Sequence, residues 1–392
     1  MSKVLAKKLL VGMIAVVTML LLLNPIAVMA AEITPTPTPV EKTSGGGHKT
    51  QKDGWKGSGK KQQYIVKGVP VSGWKTIKGK RYYFDTKKPN YMVTGWKTIK
   101  TKGKKRHFYF APKGGVGKRG AMVTGWKKIN SSIYYFKKSG SVGIKGGLFC
   151  GGREKVGKNT YFFEKKGKLG KGLGKLYIGW KKEGGNLYYF KKTGALGTKG
   201  KMFTGTHQDG RKTFTHDKNG VLVNTVLSIP AEYQWSYRGT SFGNKTISAA
   251  GCGVVSTTMA LRFLTGQQIA VSTMRDIANP YFDPKDASVN GKLYQGFFGV
   301  AASRYGKKAR TTTNASEALD AAKKGQAVLS FQRSPSIFTG RGHFIILKAV
   351  NNQNQVRVND PNDSGTKKHN SRTFDFYSQI DRANVRYVIF SN

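Results

Sequence analysis

Two cysteines, Cys150 and Cys252, are the only thiols in this chain of 392 residues, and one of them stands in surroundings suited to nucleophilic chemistry. Cys252 lies in Ile247-Ser-Ala-Ala-Gly-Cys-Gly253, directly before residues 254–264, whose apolar positions recur at helical spacing and stop ahead of Gly266. That puts the sulfur at a helix N-terminus, where unpaired amides and the positive end of the dipole favour a thiolate. The flanking glycines leave room for a substrate backbone. A lone cysteine before a helix is more often a small buried hydrophobe, so the nucleophile reading depends on partners.

Two stretches further on supply them. Gly342-His343-Phe-Ile-Ile-Leu347 is an apolar strand opening on a histidine, and Gln355-Val-Arg-Val-Asn359-Asp360-Pro361 is a second strand ending on an acid. Asn351-Asn-Gln-Asn354 between them has turn chemistry, so antiparallel pairing makes His343 and Asp360 neighbours. A carboxylate fixes the tautomer and orientation of an imidazole, which takes the thiol proton and later protonates a leaving group. Taken singly, His343 reads equally well as a satisfied core histidine, and Asp360 as a turn residue before proline. His369, in Lys367-Lys-His-Asn370, reads as part of a solvated loop. No Cys/His pair has zinc-ligand spacing and no phosphate-cradling loop occurs, so neither a metal nor a cofactor is expected.

Around these residues, Ala315–Lys324 reads as a helix stopped by Gly325 and residues 327–331 as a strand, a mixture that indicates an α+β domain. The order Cys, His, Asp, with Gly-Cys-Gly before a helix, Gly-His opening a strand and Asn-Asp-Pro closing the next, resembles the C39-like branch of papain-fold peptidases. The resemblance covers residues 225–392. It implies a papain-like fold with Cys252 as nucleophile, His343 as base, Asp360 as orienting acid and Gln234 as an oxyanion donor beside the Cys252 amide. Val254 stands where that family often has proline, and the Cys-Gly-Ser-Cys-Trp phrase of papain itself is absent. Asn279 to Gly299, rich in Pro, Gly and aromatics, is a candidate cleft wall.

Upstream, one phrase returns: Gly54-Trp55, Gly73-Trp74, Gly95-Trp96, Gly125-Trp126 and Gly179-Trp180. All but the first lead to an aromatic cluster, Tyr82-Tyr-Phe84, Phe108-Tyr-Phe110, Tyr134-Tyr-Phe136 or Tyr188-Tyr-Phe190. Tyr161-Phe-Phe163 marks a degenerate repeat in the longest gap. Each unit reads as a β-hairpin that cannot bury its face alone, so residues 51–224 read as an all-β hairpin-repeat solenoid. The phrase resembles the choline-binding and glucan-binding repeats of Gram-positive surface proteins. That resemblance implies cation–π cages or sugar platforms built from Trp74, Trp96, Trp126 and Trp180 with Tyr83, Tyr109, Tyr135 and Tyr189; packing between hairpins accounts equally well for any single ring. Lysines crowd the turns, which disfavours a cationic ligand and favours an anionic cell-wall polymer or glycan.

Lys and Arg number 68 against 19 acids, a formal charge of +49, whose field draws in polyanions and weakens with salt. Secretion, read from the N-terminus, argues against nucleic acid as the partner. Lys3, Lys7 and Lys8, an apolar run over residues 9–23 and Ala27-Val-Met-Ala-Ala31 read as a signal peptide, residues 1–31, with a retained anchor as the alternative. No second apolar run long enough to cross a bilayer follows. Thr34-Pro-Thr-Pro-Thr-Pro39 and Ser44-Gly-Gly-Gly47 make residues 32–50 a spacer, and the change of texture near Val226 places a domain boundary at 225. The expected protein is a secreted cysteine peptidase on the surface of a Gram-positive bacterium, held by its repeats and cutting peptide or peptidoglycan-peptide substrates. A peptidoglycan amidase or endopeptidase and a non-catalytic adhesin are the competing readings. Cys252 is expected as a free thiol.

Overall fold

The structure is a computed structural model that describes residues 52–281 and 296–392. The expected signal peptide and spacer lie outside the described residues, as do residues 282–295 of the candidate cleft wall.

Each Gly-Trp phrase opens a strand that pairs antiparallel with its aromatic cluster, so Trp74 lies opposite Tyr83, Trp96 opposite Tyr109, Trp126 opposite Tyr135 and Trp180 opposite Tyr189. Lys78-Gly79 and Lys102-Gly103 are the turns of the first two, Asn130-Ser131 and Gly184-Gly185 those of the others. Lys78 and Gly79 both have positive φ, 46° and 74°, the backbone of a two-residue loop whose twist matches the flanking strands. Phe84, Phe110, Phe136, Phe163 and Phe190, which end the clusters, are completely buried. Backbone hydrogen bonds then join the hairpins in series: Met122 N–H donates to the Arg81 carbonyl of the preceding hairpin at 2.8 Å, as Leu148 does to His107 and Leu176 to Ile133.

The degenerate repeat around Tyr161 is a full hairpin, Gly152–Val156 with Asn159–Phe163, and carries Arg153 in the tryptophan register. A further hairpin, β1 (Gly205–Asp209) with β2 (Lys212–His216), has neither Gly-Trp nor an aromatic triplet, so the repeated phrase does not mark it. There Thr206 occupies the tryptophan register and His216 that of the buried phenylalanines.

β2 continues into β3 (Leu222–Leu227), which pairs on its far side with β6 (Gly342–Asn351). The terminal hairpin and the mixed helix-and-strand region therefore share one nine-stranded sheet, and position 225 falls inside a strand. With β4 (Lys308–Thr312), β5 (Ala327–Arg333) and β9 (Asn384–Ser391) the order is β1-β2-β3-β6-β5-β9-β4; β7 (Gln355–Asn359) pairs with the other edge of β6, and β8 (Phe374–Asp375) with β7.

Helices cover both faces of this sheet. A short α1 (Ile247–Ala250) precedes α2 (Cys252–Thr265); α3 (Val271–Ala278), α4 (Phe297–Arg304) and α5 (Ala315–Lys323) follow. The central strand β5 is buried over six of its seven residues. Alternation sends Leu329 and Phe331 to the α2 side with Val254, Met259 and Phe344, and Val328 to the α5 side with Leu319 and Ile345. Phe344 stacks on Phe331 at 4.7 Å; truncating so buried a ring costs roughly 3–5 kcal/mol, and it would loosen β6 next to His343. The array is tied to this body by Lys182, whose ammonium meets Asp320 of α5 at 2.9 Å, and by Thr225, whose hydroxyl donates to the Lys323 carbonyl at 2.7 Å.

Candidate active site

α2 begins at Cys252 after Gly251, with no side chain capping its first amides, so Cys252 sits at a helix N-terminus whose first N–H groups lack a side-chain partner. Residues 252–261 are buried throughout, and the Ser256 hydroxyl donates to the Phe344 carbonyl at 3.3 Å, fastening the helix to β6 one residue past His343. Cys252 is 6% exposed, and both cysteines are free thiols.

β6 and β7 pair antiparallel with Ile346 opposite Asn359, which delivers His343 to the residue just beyond β7. His343 Nε2 lies 2.6 Å from Asp360 Oδ1. Cys252 is close enough to the ring to act on its protonation, alongside Asp360. Burial alone would push the His343 pKa down, but the hydrogen bonds with Asp360 and Cys252 and the charges of both prevail and raise it from 6.5 to about 9. Burial acts on Asp360 in the opposite sense, upward, and is outweighed by the hydrogen bond and charge of His343, the hydrogen bond of His369 and the Asn362 amide, which together hold the carboxyl below its ordinary value.

His369 is not on a solvated loop, contrary to the expectation from its polar neighbours. It is 5% exposed, and its Nδ1 lies 2.7 Å from Asp360 Oδ2, so the fully buried Asp360 carboxylate is shared between two histidines. The cause is local hydrogen bonding. Asp363 accepts from the amides of His369 and Asn370 at 2.8 and 2.9 Å, and Asn370 Oδ1 accepts from the Asp360 amide at 2.6 Å. This turn draws the imidazole inward against Phe338, 5.0 Å away edge-on, while Lys368 stays exposed. Asp360, Asp363 and His369 bring donor atoms within 4.8 Å of one another, yet these donors already serve the hydrogen bonds just described, so the cluster is closed rather than open to an ion.

Gln234 is buried. Its amide Nε2 donates to the Ser248 carbonyl of α1 at 2.8 Å and its backbone N–H to the Pro361 carbonyl at 2.8 Å, which ties the segment before α1 to the turn that carries Asp360. Trp235 stacks on Tyr233 at 5.1 Å and donates its indole N–H to the Asp363 carbonyl at 3.0 Å.

In the array, Tyr83, Tyr109 and Tyr135 are less than a tenth exposed and the four tryptophans are half-buried. Each tryptophan bridges its own hairpin and the next: Trp74 meets Tyr83 and Phe108, Trp96 meets Tyr109 and Tyr134, Trp126 meets Tyr135 and Tyr161, and Trp180 meets Tyr189 and Phe214, all at 4.8–5.1 Å. These rings are the cores between hairpins.

A buried Cys-His-Asp arrangement at a helix N-terminus, behind serial aromatic hairpins, defines a peptidase-like protein associated with the cell wall. Residues 226–385 match the Peptidase C39 like family, and residues 72–87, 124–142 and 178–196 match the putative cell wall binding repeat. Among solved structures, the chain is similar to choline binding protein F from Streptococcus pneumoniae, determined in the presence of a peptidoglycan analogue, at 25% identity and a TM-score of 0.34, covering 44% of this chain and 52% of that one. It is also similar to the pneumococcal cell wall endolysin from phage Cp-1 complexed with choline, at 21% identity and a TM-score of 0.18, covering 45% and 38%. A third is truncated alternansucrase from Leuconostoc mesenteroides, at 19% identity and a TM-score of 0.20, covering 44% and 12%. The chain spans about half the length of the first of these, and less of the others. No curated protein matches it.

Proposed function

We propose that residues 225–392 form a papain-like cysteine peptidase domain, secreted by way of a signal peptide at residues 1–31 and a spacer at 32–50, and localised by a hairpin solenoid over 51–224 that grips anionic wall polymer. The observation that carries this reading is a buried imidazole, His343, held 2.6 Å from Asp360 and influenced by Cys252, which opens a buried helix. His343 takes the thiol proton, and the sulfur attacks a peptide or amide carbonyl. The oxyanion that forms is met by the Cys252 amide at the start of α2 and by Gln234, which has a second amide hydrogen besides the one given to Ser248. The C–N bond then breaks as the imidazolium gives its proton to the departing amine, leaving a thioester. Water, deprotonated by the same imidazole, attacks the thioester; the C–S bond breaks, releasing the acid and restoring the thiol. Asp360 holds the ring and offsets its charge throughout, and His369 positions Asp360.

The fusion of the last hairpin into the catalytic sheet favours a wall peptide as substrate, because what the array grips and what the site cuts meet one body. Purified sacculi incubated with the full chain test the reading. Soluble peptide fragments released by the wild type and not by Cys252→Ala are expected. Intact wall adhesion without hydrolysis of sacculi or of a peptide library would instead select a non-catalytic adhesin.

A further inference from the structure

The tryptophan register is interrupted twice, with different consequences. At Arg153 the gap is filled, because the guanidinium lies 4.4 Å from the Tyr188 ring centroid and pairs with Glu183 at 2.8 Å. At Thr206 it is not: the side chain is exposed, and its hydroxyl bonds across its own hairpin to Thr215 at 3.1 Å. Among the described residues, the ring contacts of Phe203 and His207 beside it include no indole. Phe203 and His207 stack face to face at 3.9 Å and 12°, and Tyr189 continues the tier 5.4 Å from Phe203.

Two cavities adjoin this tier. The smaller, about 320 Å³, is lined by Thr206, Phe203 and His207 together with Lys191 and Lys201. The larger, about 800 Å³, sets Tyr189, Phe203 and His207 against Gln326 and Phe390 of the catalytic body, a size that suits a small ligand. Lys191, Lys192, Lys212 and Lys324 rim it, against a single acidic side chain, Asp209, and no arginine lines it.

We infer that this junction binds a phosphate-bearing saccharide. A flat stacked platform suits the apolar face of a sugar ring, and the excess of ammonium groups suits an anion. Lysine meets phosphate as a point charge, whereas planar carboxylate recognition usually draws on the arginine fork. The same ammonium groups repel a quaternary amine. This inference rests on the wall-gripping role proposed for the array and is independent of the chemistry at Cys252.

Calorimetric titration of the full chain with N-acetylglucosamine 1-phosphate, beside N-acetylglucosamine and inorganic phosphate alone, tests it. The sugar phosphate is expected to bind at least tenfold more tightly than either half. Phe203→Ala, which removes the platform, and Lys192→Glu, an exposed change that leaves the core intact, are each expected to weaken it about tenfold, and the Lys192→Glu chain to keep its thermal midpoint. Choline binding more tightly than the sugar phosphate overturns the inference. So does the absence of sugar-phosphate binding by a chain that still adheres to purified walls, an outcome that leaves the array's role standing; failure to adhere to walls as well would sink both.

Discussion

Replacing His369 with phenylalanine isolates one hydrogen bond. The imidazole is buried against Phe338 and touches the proposed chemistry only through Nδ1, 2.7 Å from Asp360 Oδ2. Phenylalanine keeps ring and volume but leaves that carboxylate oxygen, in a residue with no exposure, without its donor. A hydrogen bond to a charged group contributes roughly 1.5–3 kcal/mol, which in a body of this size is a fall of roughly 3–12 °C in thermal midpoint. The sign of its pH dependence follows from Asp360. Because the folded carboxyl is held below its ordinary value, the stabilisation is present above the unfolded value of about 3.9 and is lost as the pH falls through the folded one. The deficit of His369→Phe is therefore full at pH 7 and shrinks below about pH 4. Scanning calorimetry of the full chain at both pH values reads it, with the rate of iodoacetamide reaction at Cys252 as a measure of the site itself. His369→Gln, which retains an N–H donor, is expected to recover part of both. An unchanged midpoint at pH 7, or a deficit equally large at acid pH, would refute the reasoning, since a purely steric loss has no reason to follow a carboxylate.

Cys252→Ala should abolish iodoacetamide-sensitive turnover while leaving adhesion to purified walls unchanged; residual thiol-dependent hydrolysis would place the nucleophile elsewhere. His343, raised to about 9, contributes stability that is complete below about pH 6.5 and lost as the pH climbs through 9, worth on the order of 3 kcal/mol, so the urea midpoint should fall between pH 6.5 and 9 and do so less in His343→Gln. His216 behaves oppositely. Burial, and then the charge of His207, lower it to about 4, neither ring nitrogen has a partner, and stability should fall as the pH drops from 6.5 towards 4. His216→Phe, which restores the residue of the other hairpins, should remove that acid sensitivity in a melting series. Wall adhesion should weaken steeply between low and high salt; binding indifferent to salt and displaced by free choline would contradict the polyanion reading.

The elements that position the candidate site were legible because they rest on local signals. The helix after Cys252 has a run of apolar spacing ended by Gly266, whose φ of 78° closes it; the hairpin carrying His343 and Asp360 has its turn written in asparagines. His369 was illegible for a related reason. Its neighbours are polar, and composition registers polarity but not the hydrogen bonds by which Asp363 turns the loop inward. The hairpin formed by β1 and β2 was hidden because the array is recognised by tryptophan, and this unit substitutes Thr206 and His216 while keeping the register. The place of the last hairpin in the nine-stranded sheet is a long-range pairing, β3 with β6, which no local pattern announces.

That pairing sets what can be separated. A fragment starting at residue 225 would begin in mid-strand and bare the edge of β3 that β2 covers, beside β6, the strand that bears His343; bare edges of this kind recruit other chains. A cut before Gly205 keeps the sheet whole, so the smallest transplantable part that holds the candidate site includes the final hairpin, and one grafted to a different anchor would carry that hairpin with it.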